Sequence, residues 1–375
     1  MKVTDLQTLQ IDMPFKQPYK SAMTLAFVKK RRHLFVRLDT DEGITGFGEA
    51  SSDPLYSGET MQTALEIIRQ KLAGCVIGED PFNLNRIIQR MDRAIRPGSN
   101  NYAKFAIETA LYDLMGKAAG LPVFKLLGGN YRDAVPCHKV ISIVEPGKAA
   151  EEAADAIKQG YRAITVKAGL HPEEDVESVK RVREAVGSKV QLAVDVNQGY
   201  SRQTAIRTIR RLEKYELEFI EQPVAYWDLN GMALLSQIFD IPIAADESLV
   251  SVHDALRIVQ DKVADVFVLE LAKHGGIYNS WKIAQIAEAE NLPCRVGGSA
   301  ELEVGTCAGI HLTSAIKEIV PFTGYQASIN YVASVVKRDL CFQDGAWIVP
   351  SEPGLGVELD EDKVNRFRVK ESDLE

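Results

Sequence analysis

Residues 163–197 read AITVKAGLHPEEDVESVKRVREAVGSKVQLAVDVN. An apolar run, Ala163–Val166, precedes a helical pattern over Glu173–Val186, in which apolar residues recur every three or four positions. A second apolar run, Val190–Val196, follows directly. A strand, a helix and a strand in this order are typical of a parallel βα unit, so the architecture can be read outward from these residues.

The same alternation continues on both sides of this unit. Counting outward gives eight strand segments with helical segments between them, which predicts a (β/α)₈ TIM barrel of the α/β class rather than an open doubly wound sheet. The predicted strands are Lys139–Val144, Ala163–Val166, Val190–Val196, Phe219–Glu221, Ile243–Ala245, Val266–Leu269, Cys294–Val296 and a weaker eighth near Ile319. The predicted helices include Gly147–Lys158, Arg202–Lys214, Val252–Val259 and Ile277–Glu290.

The rest of the chain has a different character. The first 50 residues alternate apolar and polar positions, which predicts an antiparallel meander, and residues 60–119 show helical spacing. We interpret the glycines of residues 43–49, GITGFGE, as turn residues rather than a nucleotide-binding loop, because no βα unit follows them. We therefore expect an α+β domain over residues 1–128, a barrel over residues 129–337, and a C-terminal segment, residues 338–375, that returns to the first domain.

Composition excludes several classes of function. The 375 residues carry 44 Lys and Arg against 52 Asp and Glu, a net charge of −8, which argues against a nucleic-acid partner. No apolar run reaches the roughly 18 residues that cross a membrane. Five cysteines without a CxxC pair argue against disulfides, and residues 1–12 do not resemble a signal peptide, so we expect a cytoplasmic protein. The basic run of residues 29–32 is either a solvated strand edge or an attractor of an anionic substrate.

Polar side chains lie at the ends of five successive predicted strands. They are Lys167, Asp195, Glu221, Asp246 and Glu270. Their separations of 28, 26, 25 and 24 residues each match about one βα repeat. In a barrel this spacing brings the side chains to the C-terminal face, where barrel enzymes place their catalytic groups. Taken singly, each acid could instead cap a helix or lie in a loop.

Three of these side chains predict a metal site. Carboxylates that end adjacent strands would repel one another unless a cation lay between them, and oxygen-only ligands select a hard divalent ion. Asp195, Glu221 and Asp246 therefore predict Mg²⁺, with Mn²⁺ as an alternative. Asn197 is a candidate to hold a metal-bound water or a substrate oxygen. Lys167 could be a surface cation, an ion-pair partner, a Schiff-base nucleophile or a general base, and the last role requires a lowered pKa.

An ordered set of motifs resembles one family across nearly the whole chain. The muconate-lactonizing subgroup of the enolase superfamily, within the mandelate racemase/muconate lactonizing enzyme family, has motifs similar to TVKAG at 165–169, DVN at 195–197, EQP at 221–223, ADES at 245–248 and KHGG at 273–276. The resemblance implies an α+β capping domain over a barrel, Mg²⁺ held by Asp195, Glu221 and Asp246, and Lys167 as the base at the α-carbon of a carboxylate substrate.

The resemblance also implies further roles. Loops near residues 14–27 and 51–59 would close over the substrate, and Glu247 competes with Asp246 as a metal ligand. Glu301 would shape the pocket, or simply cap the following helix. The family further implies a homo-oligomer, a dimer or an octamer.

Two positions depart from the family pattern. Thr165 stands where the family has the first lysine of a Lys-x-Lys pair, and Glu270 stands where it has a sixth-strand lysine. Lys273, three residues further on, is expected in a turn, and a role as a replacement base is the alternative.

The missing lysine changes the expected reaction. Racemisation needs proton-transferring groups on both faces of the α-carbon, and a carboxylate such as Glu270 is a weak base. Cycloisomerisation or syn β-elimination of a small carboxylate needs only Lys167, so the sequence favours these two reactions. A racemase or epimerase of an amino-acid derivative or dipeptide, with Glu270 or Lys273 opposite Lys167, and a non-catalytic metal-binding barrel remain alternatives. Glu270 could also hold a cationic amine of the substrate.

Overall fold

The computed structural model describes residues 1–24, 26–320, 322–325 and 327–369. Its N-terminal part contains strands β1 (Val3–Tyr19), β2 (Val28–Thr40) and β3 (Thr45–Ala50) and helices α1 (Pro54–Ser57), α2 (Met61–Ile67), α3 (Ala73–Val76), α4 (Leu84–Ala94), α5 (Asn101–Ala119) and α6 (Val123–Leu126). A π-helical turn, Ile68–Leu72, joins α2 to α3, and a 3₁₀ turn, Pro81–Asn83, precedes α4. The three strands form an antiparallel sheet in the order β1-β2-β3.

The glycines of β3 allow a helix to lie directly on the sheet. A Cβ at Gly48 would lie 1.7 Å from the carbonyl oxygen of Ala106, and one at Gly46 would lie 2.4 Å from that of Ala110. Only Gly43, with φ of 75°, occupies a turn. The interpretation of residues 43–49 as turn glycines is therefore wrong for Gly46 and Gly48, which are strand positions that admit the backbone of α5.

The middle of the chain forms a parallel sheet surrounded by helices. Its elements are β4 (Ala134–Pro136), β5 (Lys139–Ile141), α7 (Pro146–Lys158), β6 (Ala163–Lys167), α8 (Pro172–Val186), β7 (Gln191–Asp195), α9 (Arg202–Leu212), β8 (Ile220–Glu221), α10 (Leu229–Ile238), β9 (Ile243–Ala245), α11 (Val252–Gln260), β10 (Val266–Leu269), α12 (Leu271–His274), α13 (Ile277–Ala289), β11 (Cys294–Val296) and α14 (Glu303–Ala315). A 3₁₀ turn, Glu213–Tyr215, follows α9.

Seven of these strands pair in the order β11-β10-β9-β8-β7-β6-β5. The predicted eighth segment joins the two ends of this sheet through parallel bridges, because Ile319 pairs with Cys294 and Thr323 pairs with Cys137. Small and aromatic side chains fill the interior beneath the C-terminal face, and the rings of Phe219 and Phe322 stack 5.6 Å apart. The polar residues at the strand ends lie directly above this apolar layer.

The C-terminal segment makes two kinds of contact. It contains a short helix α15 (Ala327–Asn330), strands β12 (Phe342–Gln343) and β13 (Ala346–Ile348), and helix α16 (Glu361–Arg366). The β12–β13 hairpin pairs with β4 beside the barrel. The chain then returns to the N-terminal part, where Val123 donates to the carbonyl of Gly354 and Asp12 donates to that of Phe367.

The predicted architecture, an α/β barrel with an α+β cap built from both ends of the chain, is confirmed. Within the described ranges, no helix is both long enough and apolar enough to cross a bilayer.

Candidate active site

A cavity of about 450 Å³ lies between the cap and the C-terminal ends of the barrel strands. The cap contributes Tyr19 at the end of β1, Arg31 from β2 and Tyr56 from α1. The residues predicted from the sequence that line it are Thr165, Lys167, Asp195, Asn197, Glu221, Asp246, Glu270 and Glu301. Two further candidates, Glu247 and Lys273, do not line the cavity.

The side chains of the basic run, residues 29–32, do not all face the same side of the sheet. Lys30 and Arg32 both bond to Asp12 on the neighbouring strand, with shortest N–O distances of 2.6 and 2.7 Å. Arg31 instead faces the cavity, where it bonds to Asp53 at 2.8 Å and to the carbonyl of Ser299 at 3.3 Å. The solvated-edge interpretation therefore holds for the flanking residues, and Arg31 is the member of the run that a ligand can reach.

The three predicted metal ligands occupy adjacent strand ends. Asp195 ends β7, Glu221 ends β8 and pairs with Asp195 in register, and Asp246 directly follows β9. Each side chain belongs to a residue that is 2% exposed. None caps a helix, because the N-caps of the helices that follow are Ser201, Asp228 and Ser251.

Each of these acids forms an ion pair with a buried cation. Lys167 contacts Asp195 at 2.5 Å, and two further pairs join Arg295 to Glu221 and Lys273 to Asp246. In the part of the chain that the structure describes, no three acid, histidine or cysteine side chains are arranged as a formed metal site. Buried carboxylates need a positive charge close by, and Lys167, Arg295 and Lys273 supply it here.

The donor set nevertheless fits a hard divalent cation. All three groups are carboxylates at neighbouring strand ends, which is the ligand chemistry that Mg²⁺ prefers. Burial, together with the carboxylates of Asp195 and Asp246, raises the pKa of Glu221 well above its usual value even beside Arg295. This repulsion is what a dication between the acids would remove.

Lys167 is held on the cavity floor by two acceptors. Its Nζ donates to Asp195 and, at 2.9 Å, to Oδ1 of Asn197, and lies 5.9 Å from the ring centroid of Tyr19. Burial opposes the charge of Lys167, but the Asp195 carboxylate, with Tyr19 and Glu221, raises its pKa well above the usual value.

Asn197 links the floor to the cap. Its Nδ2 donates to the hydroxyl of Tyr56 at 3.2 Å and to Oε1 of Glu247 at 3.3 Å, and its backbone has φ of 44°. Oε2 of Glu247 has no hydrogen-bond partner among the described residues.

Lys273 supports Asp246 from behind the cavity. The expectation that it lies in a turn is wrong, because it belongs to the short helix α12. Its Nζ contacts the Asp246 carboxylate and donates to the carbonyls of Asp246 and Val268 at 2.7 and 3.2 Å. These contacts are those of a positioning residue.

Glu270 and Glu301 form the side of the cavity opposite Lys167. Three strands, β7, β8 and β9, separate the strand of Lys167 from that of Glu270. Glu301 does not cap α14, because the carboxylate of Glu49 accepts the N–H groups of Leu302 and Gly305 instead. Burial and Asp246 raise the pKa of Glu270, and burial and Glu270 raise that of Glu301 to about 8.

The sequence interpretation missed a polar network beneath the acids. The guanidinium of Arg295 contacts Glu221 and lies 3.3 Å from Nε2 of His138, whose Nδ1 lies 2.5 Å from the hydroxyl of Thr165. Burial, with the charge of Arg295, lowers the pKa of His138 well below its usual value. The available signal was an arginine in the middle of the apolar run of residues 294–296.

Two models of known protein families match this chain. Residues 4–128 match the model of the mandelate racemase / muconate lactonizing enzyme N-terminal domain. Residues 148–363 match the enolase C-terminal domain-like model.

Three relatives illustrate the range of similar proteins. An N-succinyl-L-Arg/Lys racemase of Bacillus cereus is 32% identical, over 98% of each chain. A chloromuconate cycloisomerase of Delftia acidovorans is 34% identical, over 98% of this chain and 99% of that one. A dipeptide epimerase from Enterococcus faecalis, solved with Mg and the dipeptide L-Leu-L-Tyr, superposes with a TM-score of 0.91 at 32% identity, over 95% of this chain and 99% of that one.

Proposed function

The chain belongs to the mandelate racemase / muconate lactonizing enzyme family of the enolase superfamily, and on that premise we propose that it is a Mg²⁺-dependent isomerase or lyase that removes the α-proton of a small carboxylate. The single observation that carries the proposal is the position of Lys167. Its Nζ lies on the floor of the cavity, next to the first of three carboxylates at consecutive strand ends.

Asp195, Glu221 and Asp246 are the residues that would hold the metal, with Mn²⁺ as a possible substitute. A dication held there would offset the charge of Asp195 beside Lys167 and would stabilise negative charge that develops on the substrate carboxylate. Asn197 orients the lysine, and Tyr19 and Tyr56 line the cavity on the cap side. Lys167 takes the α-proton at Nζ and can return it to the same face of the substrate.

Solvent exchange at the α-carbon tests this proposal. Small carboxylates, including amino acids, dipeptides, N-succinyl amino acids and muconate, are incubated with the Mg²⁺-loaded protein in D₂O, and deuterium uptake is followed by mass spectrometry. We expect uptake into at least one compound and its loss in Lys167→Ala. Lys104→Ala, which removes a buried lysine of the cap outside the cavity, is the matched control and should keep exchange. Exchange that survives in Lys167→Ala would contradict the assignment of the base.

Cycloisomerisation and syn β-elimination are the reactions that this site supports best, because both need a proton-transferring group on only one face of the substrate. An epimerase is the second candidate, supported by the position of Glu270 across the barrel from Lys167 and by the names of two of the relatives. Incubation of single enantiomers separates them, because inversion at the α-carbon requires the second face. Turnover in the ordinary range of about 1–10³ s⁻¹ for any compound excludes a purely metal-binding role.

A further inference from the structure

The five acids that were predicted from the sequence and line the cavity divide into two groups. Asp195, Glu221 and Asp246 each carry a cationic partner. Glu270 and Glu301 also line the cavity, yet neither has an ion-pair partner within the described residues. The cations that lower the pKa of Glu270 are Lys273 and Arg295, and both form ion pairs with acids of the first group. This second pair of carboxyl groups therefore lies outside the three ion pairs of the predicted metal site.

Glu301 is buried, and one of its carboxylate oxygens accepts no hydrogen bond from the described residues. The residue is 2% exposed, and its Oε2 has no hydrogen-bond partner among the described residues. The carboxylate lies directly over Gly298, where even a Cβ would approach Oε2 to 2.7 Å, and both residues line the cavity. A buried acceptor without a partner costs free energy unless a ligand satisfies it.

Glu270 is positioned beside Glu301 by a contact that reaches the cap. Ser299 donates to Oε2 of Glu270 at 3.1 Å, and the hydroxyl of Tyr102 in α5 lies 2.9 Å from that of Ser299. Burial and the neighbouring Glu270 carboxylate raise the pKa of Glu301 to about 8. A positive charge between the two groups would relieve both effects.

On the basis of the function proposed above, we propose that Glu270 and Glu301 bind a cationic nitrogen of the substrate. The substrate class is then zwitterionic: an amino acid, an imino acid or a derivative with a free amine, with its carboxylate toward the metal ligands and its nitrogen toward the two glutamates. A dicarboxylate such as muconate is disfavoured, because its second negative charge would meet the two acids.

Matched ligand pairs test the proposal without any variant. Proline is compared with cyclopentanecarboxylate, and leucine with isocaproate, by calorimetric titration into the Mg²⁺-loaded protein. Each pair differs in the cationic nitrogen and keeps the carboxylate and the carbon skeleton. We expect the amine-bearing member of at least one pair to bind at least about tenfold more tightly, which corresponds to about 1.4 kcal/mol. Equal or tighter binding of the amine-free members, or no binding of any of the four, overturns the proposal.

Substitutions then locate the effect. Glu301→Gln and Glu270→Gln should each reduce the preference for the amine to less than about threefold. Glu303→Gln is the matched control: this buried glutamate of α14 does not line the cavity and should keep the full preference. Retention of the preference in both Glu270→Gln and Glu301→Gln contradicts the assignment.

The outcome is separable from that of the proposed function. Lys167→Ala should lose α-deuterium exchange and keep the preference for the amine. Exchange without any preference in the wild-type protein overturns only the cation site. A preference without exchange in any compound overturns only the enolising function.

Discussion

The positive charge next to Glu221 comes from Arg295 and not from residue 165, which is a threonine. Thr165 carries no charge and contacts His138, whereas Arg295 reaches across the barrel interior from β11 to Glu221. His138 lies between them, and its lowered pKa keeps it neutral beside the guanidinium. The positive charge next to the central carboxylate, Glu221, therefore comes from β11.

This arrangement predicts how metal and arginine compete. Arg295→Met should lower the melting temperature of the metal-free protein, because breaking a buried ion pair from one side costs about 3–5 kcal/mol. Added Mg²⁺ should raise the melting temperature of Arg295→Met by more than it raises that of the wild-type protein. The reason is that the dication then supplies the positive charge that Glu221 has lost. Thermal unfolding with and without Mg²⁺ measures both effects.

Arg132→Met is the control for this measurement. Arg132 binds three backbone carbonyl oxygens, those of Thr313, Ile316 and Lys317, outside the cavity. Its removal should lower the melting temperature without increasing the stabilisation by Mg²⁺. An equal or smaller Mg²⁺ effect in Arg295→Met than in the wild-type protein would show that the arginine does not compete with the metal.

Among the elements, helix N-termini join the cap to the barrel through buried carboxylates. Glu108 of α5 accepts the N–H groups of Ile277 and Tyr278 at 2.6 and 2.7 Å, where α13 begins. Gly276 makes this approach possible, because a Cβ there would lie 1.9 Å from Oε2 of Glu108. Glu49 of β3 makes the equivalent contact with α14.

The Glu108 contact predicts a pH dependence of stability. Burial raises the pKa of Glu108 from 4.5 to about 8, although the two N–H groups oppose the change. The folded state therefore holds a proton that the unfolded state has already released, and the contribution is lost as the pH rises through the folded pKa. Between about pH 5 and pH 9, the wild-type protein should lose more free energy of unfolding than Glu108→Gln, by on the order of 4 kcal/mol.

Urea unfolding at several pH values checks this prediction. Glu184→Gln changes an exposed glutamate of α8 and should reproduce the wild-type pH profile. Parallel pH profiles of Glu108→Gln and the wild-type protein would mean that this carboxyl group stays ionised in the folded state.

In the whole molecule, the cavity exists only because two separate parts of the chain meet. Tyr56 of the cap receives a hydrogen bond from Asn197 on the barrel floor, and Arg31 bonds both to Asp53 and to the carbonyl of Ser299. These contacts hold α1 over the mouth of the barrel. Assembly of several copies of the chain into a dimer or an octamer stays a prediction.

The Tyr56 contact predicts a binding effect that is separate from the metal. Tyr56→Phe should raise KM about three- to tenfold for a substrate identified by deuterium exchange, because one hydrogen bond of about 0.5–1.5 kcal/mol no longer holds the cap closed. The stabilisation by Mg²⁺ should be unchanged. Tyr131→Phe, at a residue that is 62% exposed, is the control. An unchanged KM in Tyr56→Phe would show that the contact does not contribute to closure.

Local patterns were sufficient to predict the barrel and the positions of its polar strand ends. Apolar runs and helical spacing are properties of neighbouring residues, and a βα repeat of about 25 residues places each strand-end side chain on one face. Lys167, Asp195, Glu221, Asp246, Glu270 and Glu301 consequently do line one cavity. Their roles as base, metal ligands or cation site stay proposals.

The pairing of charges depended on contacts that no local pattern encodes. Arg295 meets Glu221 across 74 positions of sequence, and Ser299 meets Glu270 across 29. Such pairs form only after the barrel closes, because strands remote in the chain then share one interior. Among the described residues, the tertiary structure therefore decides which acids form ion pairs and which do not, and burial makes each unpaired charge costly.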